Sequence, residues 1–223
     1  MLENRARQIL EALKKTYDMP KWTISHGDPF KTLIVTIISQ NTNDKNTARA
    51  FENFSNSFRI TPEALANIKT EQIECCLKVA GLYKNKARAI KQVSKIILDQ
   101  YNGSLKPILS LPLEEARKTL LQFPGIGPKT ADVLLLFSAE KPTIPVDTHV
   151  NRVSKRLTLA PASGNYETIR QSLQALYKPR DYLAVHVLLI QHGRKFCKAR
   201  KPICTQCPIS TLCPSSNLSD KSD

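Results

Sequence analysis

The sequence predicts an all-α protein. The chain of 223 residues contains only seven glycines, and it shows little of the period-2 alternation that half-buried strands display. Many apolar positions lie three or four residues apart instead, which is the spacing of one helical face. The apolar run in residues 32–39 contains Leu-Ile-Val-Thr-Ile-Ile. Its composition would also suit a strand, but we interpret it as a buried helix.

Two longer amphipathic helices are predicted next. Phe51, Phe54 and Phe58 line one face of a segment that starts after Asp44. A second segment starts after Gly81 and also has one apolar face. Its apolar residues are Ala87, Ile90, Ile97 and Tyr101. The opposite faces of both segments are rich in Lys, Arg and Gln, which predicts that these faces contact water.

A pair of helices with a short turn between them is predicted at residues 112–138. The first helix ends at Pro124, because proline cannot continue a helix, and the second begins at Pro128, since proline is favoured in the first turn. The turn between them is Pro-Gly-Ile-Gly. We therefore predict a helix-hairpin-helix.

The C-terminal half predicts three more helices and a tail. Two prolines indicate a loop at residues 140–145, so Asp147 is placed as the N-cap of a helix from Thr148 to about Leu157. The other two helices are predicted at 166–177, capped by Asn165, and at 179–196. Residues 215–223 are mostly polar, with little to bury, and are predicted to be disordered.

The charge balance favours a polyanionic partner. The chain has 33 Lys and Arg against 19 Asp and Glu, a formal net charge of +14. Nucleic acid is the leading interpretation, while a basic but solvated surface and an anionic membrane surface remain alternatives. No run reaches eighteen apolar residues, and charges interrupt residues 1–18. We therefore expect no spanning helix, no secretory signal and an intracellular protein of the cytoplasm or nucleoid.

The predicted hairpin combines an anion site with an amine. Gly125 and Gly127 allow a tight turn that presents backbone N–H groups, and the positive end of the following helix points to the same place. Such a site suits a phosphodiester. Lys129 lies in the first turn of that helix and could act as a nucleophile if burial or nearby charge lowered its pKa. The alternative is a solvated charge or a simple phosphate contact.

Asp147 and Arg152 are further candidates. A fixed carboxylate can accept a proton, orient water or stabilise positive charge that develops on a sugar ring. Asp147 could serve only as a helix cap, but capping and catalysis are compatible because the cap fixes the carboxylate. Arg152 is a candidate phosphate contact on the next helix, and His149 is interpreted as a hydrogen-bonded core residue.

Four cysteines crowd into seventeen residues near the C-terminus: Cys197, Cys204, Cys207 and Cys213. Disulfides are unusual inside cells, so the crowding indicates metal ligation. Zinc and a 4Fe-4S cluster both accept four thiolates. Zinc sites usually contain two tight cysteine pairs and this segment has one, so the spacing favours iron–sulfur. Basic neighbours such as Arg194 either face phosphates or compensate the thiolate charge.

These motifs together resemble endonuclease III, within the helix-hairpin-helix DNA glycosylase superfamily. The resemblance extends over roughly residues 25–213. It is carried by Phe-Pro-Gly-Ile-Gly-Pro-Lys-Thr-Ala at 123–131, Val-Asp-Thr-His at 146–149, Gly-Leu-Tyr at 81–83, Lys-Ala at 86–87, His-Gly-Arg at 192–194 and the cysteine spacing.

The resemblance implies a two-lobed fold with damaged double-stranded DNA bound in the cleft by a monomer. One lobe is a six-helix barrel, residues 24–138, which contains the helix-hairpin-helix. The other lobe, residues 1–23 plus 139–214, carries a 4Fe-4S cluster on the four cysteines.

The implied activity is that of a bifunctional DNA glycosylase and abasic-site lyase for oxidised pyrimidines. Lys129 would attack C1′ of a flipped nucleotide, and β-elimination would then cleave the strand on the 3′ side. Asp147 would assist loss of the base. The alternatives are a monofunctional mismatch glycosylase, whose relatives usually lack this lysine, and a non-catalytic DNA-binding protein that bears a cluster.

Two loops are implied to enter the DNA. The segment 39–44 matches the place where the family inserts a polar side chain beside the flipped base. The family has glutamine where this chain has Asn41, while Gln40 stands one residue earlier. Leu82 matches a leucine that packs against the opposite strand. An ordinary polar turn and an interior leucine are the alternatives.

Overall fold

The computed structural model describes residues 1–20 and 27–216. Twelve α-helices and no strand occur in these residues, so the predicted all-α class is confirmed. The described residues divide into two compact units. We call residues 27–141 the hairpin unit, and residues 1–20 together with 142–216 the cysteine unit. From residue 217 onwards, the tail predicted at 215–223 lies outside the described residues.

Eight helices build the described hairpin unit. They are α2 (Pro29–Ile38), α3 (Asp44–Ser57), α4 (Pro62–Asn67), α5 (Thr70–Leu77), α6 (Tyr83–Tyr101), α7 (Lys106–Ser110), α8 (Leu113–Leu121) and α9 (Pro128–Ala139). The apolar run at residues 32–39 lies largely in α2, where Leu33, Ile34, Ile37 and Ile38 are fully buried. The helical interpretation of this run is therefore confirmed.

The core of the hairpin unit forms from the predicted apolar faces. Phe54 of α3 is fully buried, and its ring meets the ring of Phe58 edge-on at a centroid distance of 5.3 Å. Ala87, Ile90 and Ile97 of α6 join the same core. The helix-hairpin-helix is formed by α8 and α9, as predicted.

Helices α1 (Leu2–Thr16), α10 (Thr148–Arg156), α11 (Tyr166–Leu176) and α12 (Tyr182–Lys195) build the cysteine unit. Asp147 and Asn165 cap α10 and α11 as predicted. The helix predicted from residue 179 begins as a 3₁₀ turn, Pro179–Asp181, before α12. After α12 the cysteine segment contains two more 3₁₀ turns, Cys204–Gln206 and Ser210–Leu212. None of the described helices is both long and apolar enough to cross a membrane.

Candidate functional site

The hairpin turn depends on Gly125 more than on Gly127. Gly125 has a φ of +78°, and a Cβ at this position would lie 2.6 Å from the Cβ of Ala89 on α6. The turn therefore packs backbone against helix at a distance that excludes a side chain. Gly127, the N-cap of α9, has a φ of −96° and open space around its Cβ position. The backbone angle and the packing of the turn thus require glycine at position 125. Neither requires it at position 127.

Gly125→Ala is expected to lower the free energy of unfolding by about 2–3 kcal/mol, because it adds left-handed strain to a steric overlap. Gly127→Ala is the matched control and should lower that free energy by about 1 kcal/mol or less, since alanine is a poorer N-cap than glycine but meets no steric overlap at this position. Urea denaturation of both variants measures the difference. Equal destabilisation would contradict this account of the turn.

Lys129 lies one residue after the first residue of α9. It is half-buried, and the next residue, Thr130, is buried. The positive end of the α9 dipole falls in the same turn. The hairpin turn and the Lys129 amine therefore lie at the same end of α9.

The residues expected to contact DNA around Asn41 have different surroundings. The Gln40 side-chain amide donates hydrogen bonds to the Gly125 carbonyl at 2.9 Å and to the Thr130 hydroxyl at 3.2 Å. Its side chain therefore ties the loop after α2 to the hairpin. Asn41 is exposed, and so is Leu82, at 56%. Both have left-handed backbone angles, with φ of +52° and +48°.

A buried ion pair braces the two hairpin helices. Arg117 on α8 donates from Nε and a terminal nitrogen to the two carboxylate oxygens of Asp132 on α9, at 2.9 and 3.4 Å. The Asp132 side chain is fully buried and that of Arg117 is 12% exposed. Forked arginine–carboxylate geometry fixes orientation as well as distance. The pair therefore sets the angle between the helices that present the hairpin turn.

Asp147 is held rigidly at the start of α10. Its Oδ1 accepts a hydrogen bond of 2.7 Å from the Val150 N–H. Two side chains anchor the preceding loop: His186 Nδ1 lies 2.8 Å from the Pro145 carbonyl, and the Tyr166 hydroxyl accepts from the Val146 N–H at 3.3 Å. Because a carbonyl can only accept, His186 Nδ1 carries the proton. The carboxylate is therefore presented in a fixed direction.

Arg152, expected to contact phosphate, is bonded within the protein. Its guanidinium donates to the carbonyls of Gly193 and Cys197, each at 3.0 Å, and lies 3.1 Å from His149 Nδ1. Arginine is a donor only, so His149 Nδ1 accepts and its ring is neutral. Burial is the main cause that lowers the His149 pKa. Arg152 thus ties α10 to the start of the cysteine segment, whereas Arg194 is exposed.

The four cysteines line one cavity of about 680 Å³. Across residues 1–20 and 27–216, no three His, Cys, Asp or Glu side chains converge closely enough for a single metal ion. Burial raises the pKa of Cys207 and of Cys213, so a bound cationic centre would favour the thiolate forms of these two residues. Four cysteine sulfurs around one cavity form a donor set that an iron–sulfur group accepts.

Two polar side chains reach the cysteine sulfurs. Arg156 of α10 donates to Cys197 Sγ at 3.4 Å. His192 Nε2 lies 3.6 Å from Cys207 Sγ, and its Nδ1 lies 3.2 Å from the Tyr17 hydroxyl. Burial lowers the His192 pKa to about 4 and raises the Tyr17 pKa to about 12. A neutral imidazole bears one N–H, so either Nδ1 donates to the Tyr17 hydroxyl or Nε2 donates to Cys207 Sγ, and a thiolate at Cys207 selects the second arrangement.

The chain that carries the hairpin, the capped aspartate and the cysteine segment is similar to known proteins. Residues 34–179 match a family model described as the HhH-GPD superfamily base excision DNA repair protein. The chain belongs to this superfamily. The superfamily match includes both Lys129 and Asp147 and ends before the cysteine segment.

Individual members of the superfamily agree with this assignment. Endonuclease III of Thermotoga maritima is 33% identical over 207 residues, which cover 93% of this chain and 89% of the relative. Endonuclease III of Sulfolobus acidocaldarius is 38% identical over 179 residues, covering 80% and 78%. A structure of a trapped endonuclease III–DNA covalent intermediate superposes with a TM-score of 0.87 at 29% identity and covers 98% and 99% of the two chains. The predicted resemblance and the class, a base excision DNA glycosylase, are confirmed.

Proposed function

We propose that this superfamily member is a bifunctional DNA N-glycosylase and abasic-site lyase that acts as a monomer on oxidised pyrimidines in double-stranded DNA, within the compartment that holds the DNA. The observation that carries the proposal is Lys129, a half-buried lysine in the first turn of the helix after the hairpin. The resemblance associates a lysine at this position with lyase chemistry. The trapped endonuclease III–DNA covalent intermediate, a close structural match, supports the same chemistry.

Lys129 supplies the nucleophile. Its uncharged amine attacks C1′ of the flipped nucleotide, the C1′–N bond to the base breaks, and the base leaves with the bonding electrons and takes up a proton. Opening of the sugar ring leaves an iminium at C1′, which acidifies the C2′ proton. Loss of this proton expels the 3′ phosphate oxygen and cleaves the strand on that side. Because the reacting atom is inaccessible in the duplex, flipping must come first.

Asp147 supplies the fixed carboxylate. The hydrogen bond from the Val150 N–H holds Oδ1, so the group is oriented before DNA arrives. A carboxylate in a fixed position stabilises positive charge that develops on the sugar and accepts protons during ring opening. Preorganisation of this kind avoids rearrangement during the reaction.

DNA is bound through the hairpin and the two exposed loop tips. The N–H groups around Gly125 and Gly127 and the positive end of α9 hold a phosphate, and the net charge of +14 favours the approach of DNA. Asn41 and Leu82 are the residues proposed to fill the gap left by the flipped nucleotide.

Exposure and hydrogen bonds give different roles to three residues that were expected to contact DNA. Arg194 is exposed and suits a phosphate contact. Arg152 donates to two backbone carbonyls and a histidine, so we assign it to positioning the cysteine segment instead. Gln40 is bonded to the hairpin, which leaves Asn41 as the inserted residue of its loop.

A 4Fe-4S cluster is proposed as the resident cofactor, held by Cys197, Cys204, Cys207 and Cys213. When bound, the cluster would supply a rigid, charge-bearing crosslink for the C-terminal segment. Arg156 and His192 donate hydrogen bonds to the ligand sulfurs, which stabilises thiolate charge.

An intact cluster contains about four iron atoms per chain, and Cys204→Ser is expected to bind far less iron than this. The reason is that Cys204 and Cys207 form the tight pair in the segment. Iron and acid-labile sulfide analysis, together with the visible absorption of iron–sulfide centres, measures the effect. The exposed residue Cys75 provides the control, since Cys75→Ser should retain full iron. A colourless native protein with one bound zinc would contradict the assignment.

Borohydride trapping tests the proposed activity. The native protein is mixed with a duplex that contains thymine glycol, and borohydride reduces any iminium to a stable amine link. A covalent protein–DNA adduct, together with a nick on the 3′ side, is expected. Base release that is revealed only by later alkali cleavage would instead indicate a monofunctional glycosylase. Binding without either product would indicate the non-catalytic alternative.

A further inference from the structure

Lys86 is a buried lysine that bonds two separate stretches of backbone. It lies near the start of α6 and is 3% exposed. Its Nζ donates to the Ile38 carbonyl at 2.8 Å and to the Ala80 carbonyl at 2.9 Å. One ammonium group therefore joins two points that are 42 residues apart in the sequence.

Both carbonyls belong to the last residue of a helical segment. Ile38 ends α2, and Ala80 ends the 3₁₀ turn Lys78–Ala80. The final carbonyls of a helix have no partner within it and carry partial negative charge, so a lysine ammonium suits them. At the end of α2, the N–H groups of Ser39 and Gln40 bond to earlier carbonyls, and Lys86 bonds to that of Ile38.

The two exposed tips follow directly from these carbonyls. Asn41 comes three residues after Ile38, and Leu82 comes two residues after Ala80. Both tips have left-handed backbone angles, which non-glycine residues adopt at a cost unless their surroundings hold them. The loop with Asn41 is held a second time, because Gln40 bonds to the Gly125 carbonyl.

We propose that Lys86 is a positioning residue that joins the two loops, so that Asn41 and Leu82 enter the DNA as one rigid wedge. The inference rests on the proposed function for its biological setting. Insertion of Asn41 into the DNA then depends on the position of Leu82, because the Lys86 ammonium is bonded to the backbone before both tips.

A rigid wedge has a clear physical advantage. Extruding a nucleotide loses stacking and pairing, and inserted side chains offset this loss only while they stay in the gap. Loops that become ordered on binding lose conformational entropy at that moment. Two loops that are already joined avoid this loss, so more of the contact energy remains to hold the nucleotide outside the duplex.

Lys86→Met is the informative substitution. Methionine has a similar length and keeps the buried space filled, but it cannot donate to either carbonyl. Burial lowers the pKa of the Lys86 amine, so placing a charge here has a cost, and methionine removes it. We therefore expect the variant to remain folded, with separated loops.

Lys91 provides a matched control on the same helix. It is partly buried, and its Nζ donates to the Ile68 carbonyl at 2.7 Å, just beyond the end of α4. Lys91→Met removes the same charge and the same kind of bond. It differs from Lys86→Met in that Ile68 leads to neither Asn41 nor Leu82.

The test uses a duplex with a tetrahydrofuran abasic analogue and 2-aminopurine opposite it, whose fluorescence reports filling of the gap. Lys86→Met is expected to weaken binding to this duplex by about tenfold, since the two loops must then be ordered separately when DNA binds. The affinity of Lys86→Met for undamaged duplex should change by less than about twofold. The affinities of Lys91→Met for the damaged and the undamaged duplex should also change by less than about twofold. In both variants the lost charge lies away from the phosphate contacts. Equal behaviour of the two variants would overturn the proposal.

A double-mutant cycle keeps the proposal testable even if Lys86→Met fails to fold. In the native protein, losses from Asn41→Ala and Leu82→Ala should not multiply, because either change disables much of a shared wedge. In the Lys86→Met background the two losses should multiply. Multiplicative losses in the native protein would also overturn the proposal.

Borohydride trapping separates failure of the wedge from failure of the proposed lyase activity. A native protein that traps DNA but shows no coupling between Asn41 and Leu82 refutes the wedge. Coupling without trapping refutes only the lyase chemistry.

Discussion

Lys129→Gln is expected to eliminate the borohydride-trapped adduct and to lower the rate of strand cleavage on the order of 10³-fold or more, as removal of a nucleophile does. Glutamine cannot form an iminium at C1′, so there is neither a covalent adduct nor an acidified C2′ proton whose loss would expel the 3′ phosphate oxygen. The substitution keeps a polar side chain of similar length in the first turn of α9, so the hairpin should retain its structure. The measurement is single-turnover cleavage of a thymine glycol duplex, followed by denaturing electrophoresis.

Lys95→Gln is the matched control, because Lys95 is an exposed lysine on α6 and the substitution removes the same charge. It should trap and cleave DNA like the native protein. The affinity of Lys129→Gln for the tetrahydrofuran duplex should stay within about tenfold of native, because one phosphate contact at most is lost. An adduct that persists in Lys129→Gln would mean that another amine attacks C1′, and peptide mapping of that adduct would identify it.

The parts of this site that the sequence predicts are those with local signals. The turn Pro-Gly-Ile-Gly between two apolar faces predicts the helix-hairpin-helix, because proline and glycine have strong positional preferences at helix ends. Asp147 after a proline-rich loop predicts the N-cap of α10. The four cysteines are recognisable because their chemistry and spacing are unusual inside a cell. In each case the residues that define the feature are neighbours in the sequence.

The remaining features depend on contacts between distant residues. Lys86 lies within an ordinary amphipathic helix, and nothing in the sequence indicates that its amine bonds to Ile38 and Ala80. Arg152 resembles a phosphate contact until α12 brings the Gly193 carbonyl to it. Arg156 likewise gains its role from the chain beyond α12. Such roles are set by which helices pack together.

Short helices were missed for a different reason. Helices α4, α5 and α7 contain six, eight and five residues, which is too short for a helical period to show. Proline in the first turn of α4 and α7 also resembles a loop signal in the sequence. Their stability comes mainly from packing against longer helices such as α6.

Arg117→Met is expected to lower the free energy of unfolding by about 3–5 kcal/mol, because removing one partner of a buried ion pair leaves the other charge in a low-dielectric site. Asp132 is fully buried, so water cannot readily replace the guanidinium. Methionine fills much of the space of the arginine stem, which limits any loss from packing. Urea denaturation, monitored by helical circular dichroism, measures the change.

The second partner tests whether charge is the cause. Arg117→Met combined with Asp132→Leu replaces the ion pair by two apolar side chains, and such replacements are often close to neutral. We therefore expect the double variant to be more stable than Arg117→Met, with at least about 2 kcal/mol recovered. Additive destabilisation would mean that packing between α8 and α9 dominates. If the double variant is stable yet binds the tetrahydrofuran duplex more weakly, the pair's main contribution is orientation: the forked bonds fix the angle at which α8 and α9 present the hairpin to a phosphate.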